Sequence, residues 1–376
     1  MHVYRSGRSS RRRLTISLLL ATATGIMATG LAAQVAVGDR ETYTFMALGD
    51  TAYNVPDDYP AWDALIESIN ASSALFSVHI GDTKGRGSCN EERQQIILSY
   101  FQKFERPLVY TPGDNEWTDC RDSDGNENRL EVLASIRRIF FSEAESLGVS
   151  PMPLTRQSDI SRHETLVENS RWTAGKIMFS TVHVTGGSNN RRPDDPPSMA
   201  DYTSRTEGAV DWIDEAFAIA TRDDYVGVVI GLHAEIFSLA SIAGAFGGGG
   251  APGGQGGMGA PAPQGGMGAQ GGRGGAPALS MEERMTIAFG PIIDALKRGA
   301  EGFSGQVLLI HGDTHELTID RPFKLGQRRV PAGAFNFENF TRLEVYGPPE
   351  LRAVEVTVQP DTPWVFSFSP FYPHEN

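Results

Sequence analysis

The sequence of 376 residues predicts an α/β fold built on a mostly parallel sheet. Over residues 40–130, apolar strand-like runs alternate with segments of helical spacing, which is typical of parallel strands joined by helices. Four strand-like runs end in Gly-Asp, and a further run, Tyr225–Leu232, ends at His233. Because parallel strands present their carboxyl ends at one edge of a sheet, these polar residues are expected to meet there.

The elements follow in order along the chain. Predicted strands are Tyr43–Leu48, Leu75–Ile80, Pro107–Pro112, Lys176–Val184, Tyr225–Leu232, Gln306–Ile310, Thr341–Tyr346, Leu351–Gln359 and Trp364–Phe368. Predicted helices are Ala61–Ser72, Glu91–Phe104, Arg129–Leu147, Thr206–Thr221 and Met281–Arg298. Residues 185–198 are rich in Gly, Asn and Pro and predict a loop. The last three strands alternate in polarity, which favours antiparallel pairing.

Residues 1–36 predict a cleaved signal peptide. This segment has five arginines and no acid, an apolar run from Leu14 to about Ala33, and small residues after it. The pattern fits either the Sec or the twin-arginine route, so we expect a periplasmic or extracellular protein with no membrane span in the mature chain. The formal charge of −13 argues against nucleic-acid backbones and anionic membranes as partners. The oligomeric state stays open.

Cys89 and Cys120 are the two cysteines of the sequence. An even number of cysteines in an exported chain predicts a disulfide, and two independent thiols are the alternative. Each cysteine lies a few residues past a Gly-Asp pair, so a bridge would join two of these loops.

Residues 247–279 predict a flexible insertion. Between 247 and 275, 16 of 29 residues are glycine, and the hexad Gln-Gly-Gly-Met-Gly-Ala occurs twice. Such a segment buries too little apolar surface to offset its ordering entropy. Helical and strand patterns resume after it, so we expect a single domain formed by residues 40–246 and 280–370.

The strand ends also predict a metal site. Aspartate and histidine are ligands of divalent ions, and several loops each supply one. The candidate ligands are Asp50, Asp82, Asp114, His233, Asp313 and His315.

The order of these motifs resembles the calcineurin-like metallophosphoesterases. Two Gly-Asp pairs, the run 113–116 (Gly-Asp-Asn-Glu), a lone His233 and the run 312–315 (Gly-Asp-Thr-His) follow one another as in that family. The run Pro112–Trp117 (PGDNEW) resembles an exported bacterial branch. The resemblance implies a four-layer αββα sandwich of two mixed β-sheets. It also implies two divalent ions and hydrolysis of a small phosphomonoester or phosphodiester by a metal-activated hydroxide.

The resemblance implies that Asp50 holds the first metal and that Asp82 bridges the pair. Either Asp114 or Asn115 fills the third motif, and Asp313 either binds metal or caps its turn. The histidine that usually follows the first aspartate is absent, and Tyr53 or a water takes its place. Four Asp and two His favour Mn, Mg, Ca or Fe over a Zn site of nitrogen and sulfur ligands.

Catalytic and substrate-binding roles follow from the same resemblance. Asn115 stands where a histidine usually aids the leaving group, and an amide cannot act as a general acid. The protein therefore prefers good leaving groups, or another group such as His311 supplies the proton. Lys84 and Arg86 bind substrate phosphate or are solvated. Asn189 lines the pocket or belongs to a plain loop.

Two other functions stay open. The missing histidines fit a catalytically weak metal- or ligand-binding protein on the same scaffold. A lactamase-like or nucleoside hydrolase with Asp-rich metal loops is disfavoured, because the sequence has no His-x-His-x-Asp run.

Overall fold

Two β-sheets lie face to face in the computed structural model, which describes residues 1–2, 33–120, 128–237, 281–323 and 337–373. The strands are β1 Ala33–Val35, β2 Tyr43–Leu48, β3 Ser77–His79, β4 Leu108–Tyr110, β5 Thr155–Arg156, β6 Ser170–Ala174, β7 Ile177–Thr181, β8 Gly227–Gly231, β9 Gln306–His311, β10 Thr318–Asp320, β11 Phe340–Glu344, β12 Ala353–Val358 and β13 Phe366–Phe371. The helices are α1 Tyr59–Ala71, α2 Glu91–Phe101, α3 Arg129–Phe140, α4 Gln157–Ile160, the short turn α5 Gly186–Asn189, α6 Pro196–Arg222 and α7 Met281–Gly302.

Both sheets are mixed. Within the described residues, the larger sheet has the order β1-β6-β7-β8-β9-β11-β10, with β5 paired to β6. Its strands β7, β8, β9 and β11 are parallel, whereas β6 and β10 run antiparallel to β7 and β11. The smaller sheet has the order β13-β12-β2-β3-β4. Here β2, β3 and β4 are parallel, and β12 is antiparallel to both of its neighbours.

Apolar cores separate the layers. One core lies between the larger sheet and helices α6 and α7, around Trp212. A second lies between the two sheets, around Phe45 and Phe179. A third lies between the smaller sheet and helices α1, α2 and α3, around Trp62 and Phe101. This α, β, β, α order confirms the predicted four-layer sandwich.

Neighbouring residues of the inner strands enter different cores. On β2, Phe45 and Ala47 face the other sheet, whereas Met46 and Leu48 face the helices. A strand has a side-chain period of two, and here both faces are covered. The strands therefore read as unbroken apolar runs, which is the pattern that made them recognisable in the sequence.

Two predicted boundaries are wrong, and strand β6 was not predicted. Helix α3 ends at Phe140 rather than Leu147, because the backbone of Leu147 pairs with Leu108 of β4. Part of the predicted loop 185–198 is helical, since α6 begins at Pro196, and proline is tolerated in the first turn of a helix. Strand β6, Ser170–Ala174, lies in a region where the sequence shows no clear period.

The predicted insertion at 247–279 lies outside the described residues, as does most of the predicted signal peptide. Ala33–Val35, at the end of that segment, pair with β6. The predicted cleavage and domain boundaries stay predictions. By its contacts the chain divides into residues 1–31 and residues 32–376. None of the described helices is long and apolar enough to cross a membrane.

Candidate metal centre

Polar residues from five loops converge where the parallel strands of both sheets end. Three loops follow β2, β3 and β4 of the smaller sheet, and two follow β8 and β9 of the larger one. Each candidate ligand lies within four residues of the end of its strand, so each strand end directs its first polar side chains to the same edge. The converging residues are Asp50, Asp82, Asp114, His233, Asp313 and His315.

Two groups of these side chains are able to hold a metal ion. Asp50, Asp82 and His233 offer ligand atoms within 4.8 Å of one another, and so do Asp114, His233 and Asp313. His233 belongs to both groups, so the two lie side by side. His315 is at the rim, with Nε2 3.5 Å from Oδ1 of Asp50. All six predicted ligands are thus adjacent, and their role as ligands stays a prediction.

His233 is oriented as a metal ligand would be. Its Nδ1 lies 2.9 Å from the carbonyl oxygen of Ile80, which can only accept, so Nδ1 carries the proton. Its buried Nε2 makes no hydrogen bond and lies 3.4 Å from Asp82, 3.7 Å from Asp114 and 3.8 Å from Asp313. A backbone carbonyl that fixes the tautomer and leaves the other nitrogen free is the usual arrangement around a metal-bound histidine.

The carboxylates carry more negative charge than the protein compensates. Burial raises the pKa of Asp82 and Asp313 well above the ordinary value, and the nearby Asp114 raises both further. Burial would lower the pKa of His233, but the surrounding carboxylates, with Asp82 the strongest, raise it well above its usual value. A buried acidic group of this kind is stabilised by a cation. The donor set and the unpaired Nε2 of His233 therefore fit divalent ions.

The glycines of the Gly-Asp pairs make room for neighbouring carboxylates. A Cβ on Gly113 would lie 2.1 Å from Oδ1 of Asp82, and one on Gly312 would lie 2.1 Å from Oδ2 of Asp50. The sequence suggested that glycine serves the sharp turn. In fact the left-handed backbone is mostly at the candidate ligands themselves, with φ of 50° at Asp50 and 56° at Asp82.

Asp313 and His315 also have positive φ, at 83° and 69°. Each such residue costs of the order of 1 kcal/mol or more and persists only where the surroundings impose it. This strain is concentrated in the loops that carry the candidate ligands. The fold therefore holds these side chains in place before any ion binds.

Tyr53 and Asn115 lie against the acidic groups. The Tyr53 hydroxyl lies 2.5 Å from Oδ2 of Asp82, 3.1 Å from Oδ1 of Asp50 and 3.2 Å from Nε2 of His315. Asn115 donates from Nδ2 to Asp82 at 2.7 Å and to the Tyr53 hydroxyl at 3.1 Å. Tyr53 thus lies next to the candidate ligands, as the sequence allowed. Asn115 contacts Asp82, and whether Asp114 or Asn115 is the ligand of the third motif stays a prediction.

Glu116 and His79 hold the loops of the site, and the sequence did not assign Glu116 a role. Glu116 accepts hydrogen bonds from the backbone N–H groups of Asp82, Thr83 and Gly113 at 2.6–3.1 Å. His79 Nε2 lies 3.0 Å from the hydroxyl of Thr51. The signal for Glu116 was its position three residues after Gly113, where a side chain can bond back to the turn.

His311 lies in a separate buried cluster. Its Nδ1 is 3.0 Å from the carbonyl of Gly312, and its Nε2 is 3.9 Å from Oε2 of Glu235. Glu235 in turn pairs with Arg342 at 2.7 Å, and Glu344 completes a third group of side chains able to hold a metal. His311 thus contacts Glu235 within this cluster, and its proton-donating role stays a prediction.

The three predicted substrate contacts differ in their surroundings. Lys84 is buried, and its Nζ donates to the carbonyl of Gly85 at 3.0 Å. Arg86 has a 58% exposed side chain and pairs with Asp119 at 2.9 Å. Asn189 accepts from Arg205 at 2.6 Å and from the Thr185 N–H at 3.3 Å. The Asn189 side chain is thus engaged within the protein, whereas Lys84 borders a cavity.

Cys89 and Cys120 form a disulfide, as predicted, with 5.6 Å between their Cα atoms. Gly87 and Cys120 also form an isolated β-bridge. The bond joins the loop that follows Asp82 to the loop that follows Asp114. It therefore ties together two of the loops that build the site.

The sequence matches no protein-family model and no curated protein. Three solved structures are similar in fold. A dimetal phosphatase from Danio rerio has a TM-score of 0.46 at 10% identity and covers 89% of this chain and 97% of its own. GAP50, the anchor in the inner membrane complex of Plasmodium, has a TM-score of 0.44 at 10% identity and covers 89% of this chain and 90% of its own. A 5'-nucleotidase from Candida albicans has a TM-score of 0.36 at 11% identity and covers 90% of this chain and 52% of its own. These values concern the fold alone, so the function must be inferred from the residues of the site.

Proposed function

We propose that the protein is an exported, metal-dependent phosphoesterase of the calcineurin-like type, from the branch with the PGDNEW run. The observation that carries this proposal is the pair of buried acid–histidine groups that share His233. Adjacent cation sites at the solvent-facing edge of two sheets suit the binding of a phosphate ester, because its oxygens can contact both ions.

The residues divide between two ions. Asp50, Asp82 and His315 would hold one ion, and Asp114, His233 and Asp313 would hold the other, with Asp82 as the proposed shared ligand. Two divalent ions, when bound, polarise the phosphoryl oxygens and lower the pKa of a coordinated water. Oxygen-rich ligands favour Mn, Mg, Ca or Fe, and a measurement of metal content would distinguish these ions from Zn.

The protein's own groups position the ester. The amide of Asn115 and the hydroxyl of Tyr53 are next to Asp82 and are able to donate hydrogen bonds toward an oxygen at the mouth of the site. Neither group is acidic near neutral pH, and burial raises the pKa of Tyr53 well above its ordinary value. Aryl phosphates are therefore the expected good substrates, because the aryloxide leaves without protonation.

Metal content and turnover on one preparation test the proposal. We expect two ions per chain and hydrolysis of p-nitrophenyl phosphate or bis(p-nitrophenyl) phosphate. Asp82→Asn should lower kcat/KM about 100-fold or more, since even indirect supports of a metal site are worth 10–100-fold. Asp294→Asn, at a side chain that is 65% exposed, is the matched control.

Two bound ions without turnover would favour the rival function, a catalytically weak metal- or ligand-binding protein. The specific observation behind the rival is that an amide, Asn115, occupies the position of the leaving-group histidine. Absence of metal under all loading conditions would overturn both functions.

A further inference from the structure

A cavity of about 350 Å³ lies beside the candidate metal centre, between the loop after β3 and the start of α2. Its polar lining includes Lys84, Ser88, Asn90 and Arg93, and Val55 is on its apolar side. None of the residues that line this cavity belongs to the two acidic groups. The sequence motifs and the proposed reaction give the cavity no role.

The cavity and the metal centre share a wall. A Cβ on Gly85 would lie 3.2 Å from the carbonyl oxygen of Tyr53, so the two loops are in direct contact. The hydroxyl of the same Tyr53 reaches Asp50 and Asp82. Val55 and Lys84, which line the cavity, are each within a few residues of a candidate ligand. The cavity therefore lies directly beside the metal centre.

Lys84 is a buried cation without a counter-charge in the described part of the chain. Its exposed fraction is 4%, and its Nζ donates to one carbonyl, that of Gly85. The carboxylates that raise the pKa of Lys84 most, Glu116 and Asp82, belong to the metal centre and form no ion pair with it. An ammonium group is costly to bury unless it is paired, so an anion is the missing partner.

The opposite wall adds further donors. Arg93 contacts Tyr59, with Nη1 2.7 Å from the hydroxyl, and it makes no ion pair with a described carboxylate. Asn90 caps α2, an 11-residue helix whose N-terminus carries partial positive charge. Glu92 also lines the cavity, but it is exposed to solvent. Two cations facing one cavity match a group with two negative charges.

We propose that this cavity binds a phosphate group at the far end of the substrate, so that the substrate class is an organic bisphosphate. The inference rests on the proposed function for the scissile phosphate alone. The apolar side chains of Val55 and Ile96 suit the carbon skeleton between the two phosphates. The Cys89–Cys120 bond keeps the loop that carries Ser88 and Asn90 against the site.

Counting bound inorganic phosphate by isothermal titration calorimetry tests the cavity independently of turnover. Metal-loaded wild type should bind two phosphates per chain, and chelator-treated wild type should bind one. Lys84→Gln and Arg93→Gln should each bind one phosphate fewer than the wild type, both with metal and with chelator. Lys84→Arg should bind as many phosphates as the wild type. Lys103→Gln, at an exposed lysine paired with Asp63, is the matched control. Far-ultraviolet circular dichroism verifies the fold of each variant.

Turnover separates a substrate phosphate from a free phosphate ion. In the wild type, kcat/KM for 1,4-butanediol bisphosphate should exceed that for butyl phosphate at least tenfold, and Lys84→Gln should bring the ratio close to one. A wild-type ratio near one would overturn the bisphosphate assignment. If chelated wild type binds no phosphate, or if Lys84→Gln and Arg93→Gln leave both counts unchanged, the cavity is not an anion site. If no ester is hydrolysed, the proposed function fails while the phosphate count still decides the cavity.

Discussion

Single residues of this site differ in what they are able to do chemically, and Asn115 is the clearest case. Its amide lies between Tyr53 and Asp82, close enough to donate a hydrogen bond, but it has no proton to transfer. In the proposed reaction, the rate would then depend on the leaving group's own acidity. The residue at this position should therefore control which esters are hydrolysed.

We predict that Asn115→His weakens the dependence of rate on leaving-group pKa. An imidazole at this position is able to protonate a poor leaving group, so alkyl phosphates should gain about 10²-fold or more relative to p-nitrophenyl phosphate. The measurement is the slope of log kcat/KM against leaving-group pKa for a series of phosphates. An unchanged slope would contradict the leaving-group role, and Asn115→Gln is the control that keeps an amide.

Glu344 provides a pH-dependent term in stability. Burial raises its pKa to about 8, from the ordinary value of 4.5. Between these values the folded protein holds a proton that the unfolded chain lacks. The contribution of Glu344 to stability is therefore present below about pH 4.5 and is lost as the pH rises through about 8.

In Glu344→Gln, this pH dependence should disappear from the free energy of unfolding measured by urea in the presence of chelator. Between pH 5 and pH 8, the free energy of unfolding of the wild type should fall with pH more steeply than that of Glu344→Gln, by up to about 1.4 kcal/mol per pH unit. Glu350→Gln, at a surface carboxylate paired with Arg352, should behave as the wild type. Parallel curves for Glu344→Gln and the wild type would contradict the assignment.

At the scale of elements, the loops matter more than the strands that carry them. The turn α5 has left-handed residues at Gly187 and Ser188, with φ of 58° and 59°. It packs against the acidic loops so closely that a Cβ on Gly186 would lie 2.3 Å from Oδ2 of Asp114 and 3.0 Å from Oδ1 of Asp313. This turn therefore limits where those two carboxylates can be.

Gly186→Ala should displace Asp114 or Asp313 and weaken metal binding at least about tenfold, the lower end of the effect of removing a metal site's support. Competition with a metal-sensitive dye measures the affinity. Gly290→Ala in α7, where a Cβ meets nothing within 4 Å, is the control. It should leave metal affinity unchanged and stabilise the fold by about 0.5–1 kcal/mol. Equal metal affinities in the two variants would refute the role assigned to the turn.

The disulfide acts between elements. It spans 31 residues of sequence, for which the loop-entropy model gives about 3–4 kcal/mol of stability. The double variant Cys89→Ser, Cys120→Ser should lose about this much in urea unfolding and become insensitive to reductant. If reductant leaves the wild type as stable as before, the bond does not stabilise the fold.

At the scale of the molecule, metal binding should be coupled to folding. The carboxylates of one buried site repel one another in the folded state, and the proposed ions would bind them only when the two sheets are in place. We predict that saturating divalent metal, at about 1,000 times its Kd, raises the free energy of unfolding by about 4 kcal/mol per site. Differential scanning calorimetry with metal and with chelator measures this difference.

Acidification should release the ions, because protons compete for the same carboxylates and for His233. His233→Ala should remove most of the metal-dependent stabilisation, whereas His163→Ala, at a histidine paired with Asp211 on α6, should keep it. A melting temperature that metal does not affect would contradict the coupling.

Much of the architecture follows from local pattern. The α/β class and most strands are confirmed, because unbroken apolar runs report burial on both faces of a strand. The Gly-Asp pairs identified the site since each ends such a run. The end of α3 at Phe140 and the start of α6 at Pro196 were wrong because pairing with β4 and the first-turn tolerance of proline outweigh local composition.

Sequence alone thus identified the acidic loops, the two histidines beside them and the paired cysteines, since each is marked by spacing along the chain. Only the tertiary structure decided that Lys84 is buried beside a cavity while Arg86 pairs with Asp119 in solvent. It also decided that the glycines admit carboxylates from other loops, and that His311 contacts Glu235. These contacts join residues far apart in sequence, and they depend on the strand order of two sheets, which no local period encodes.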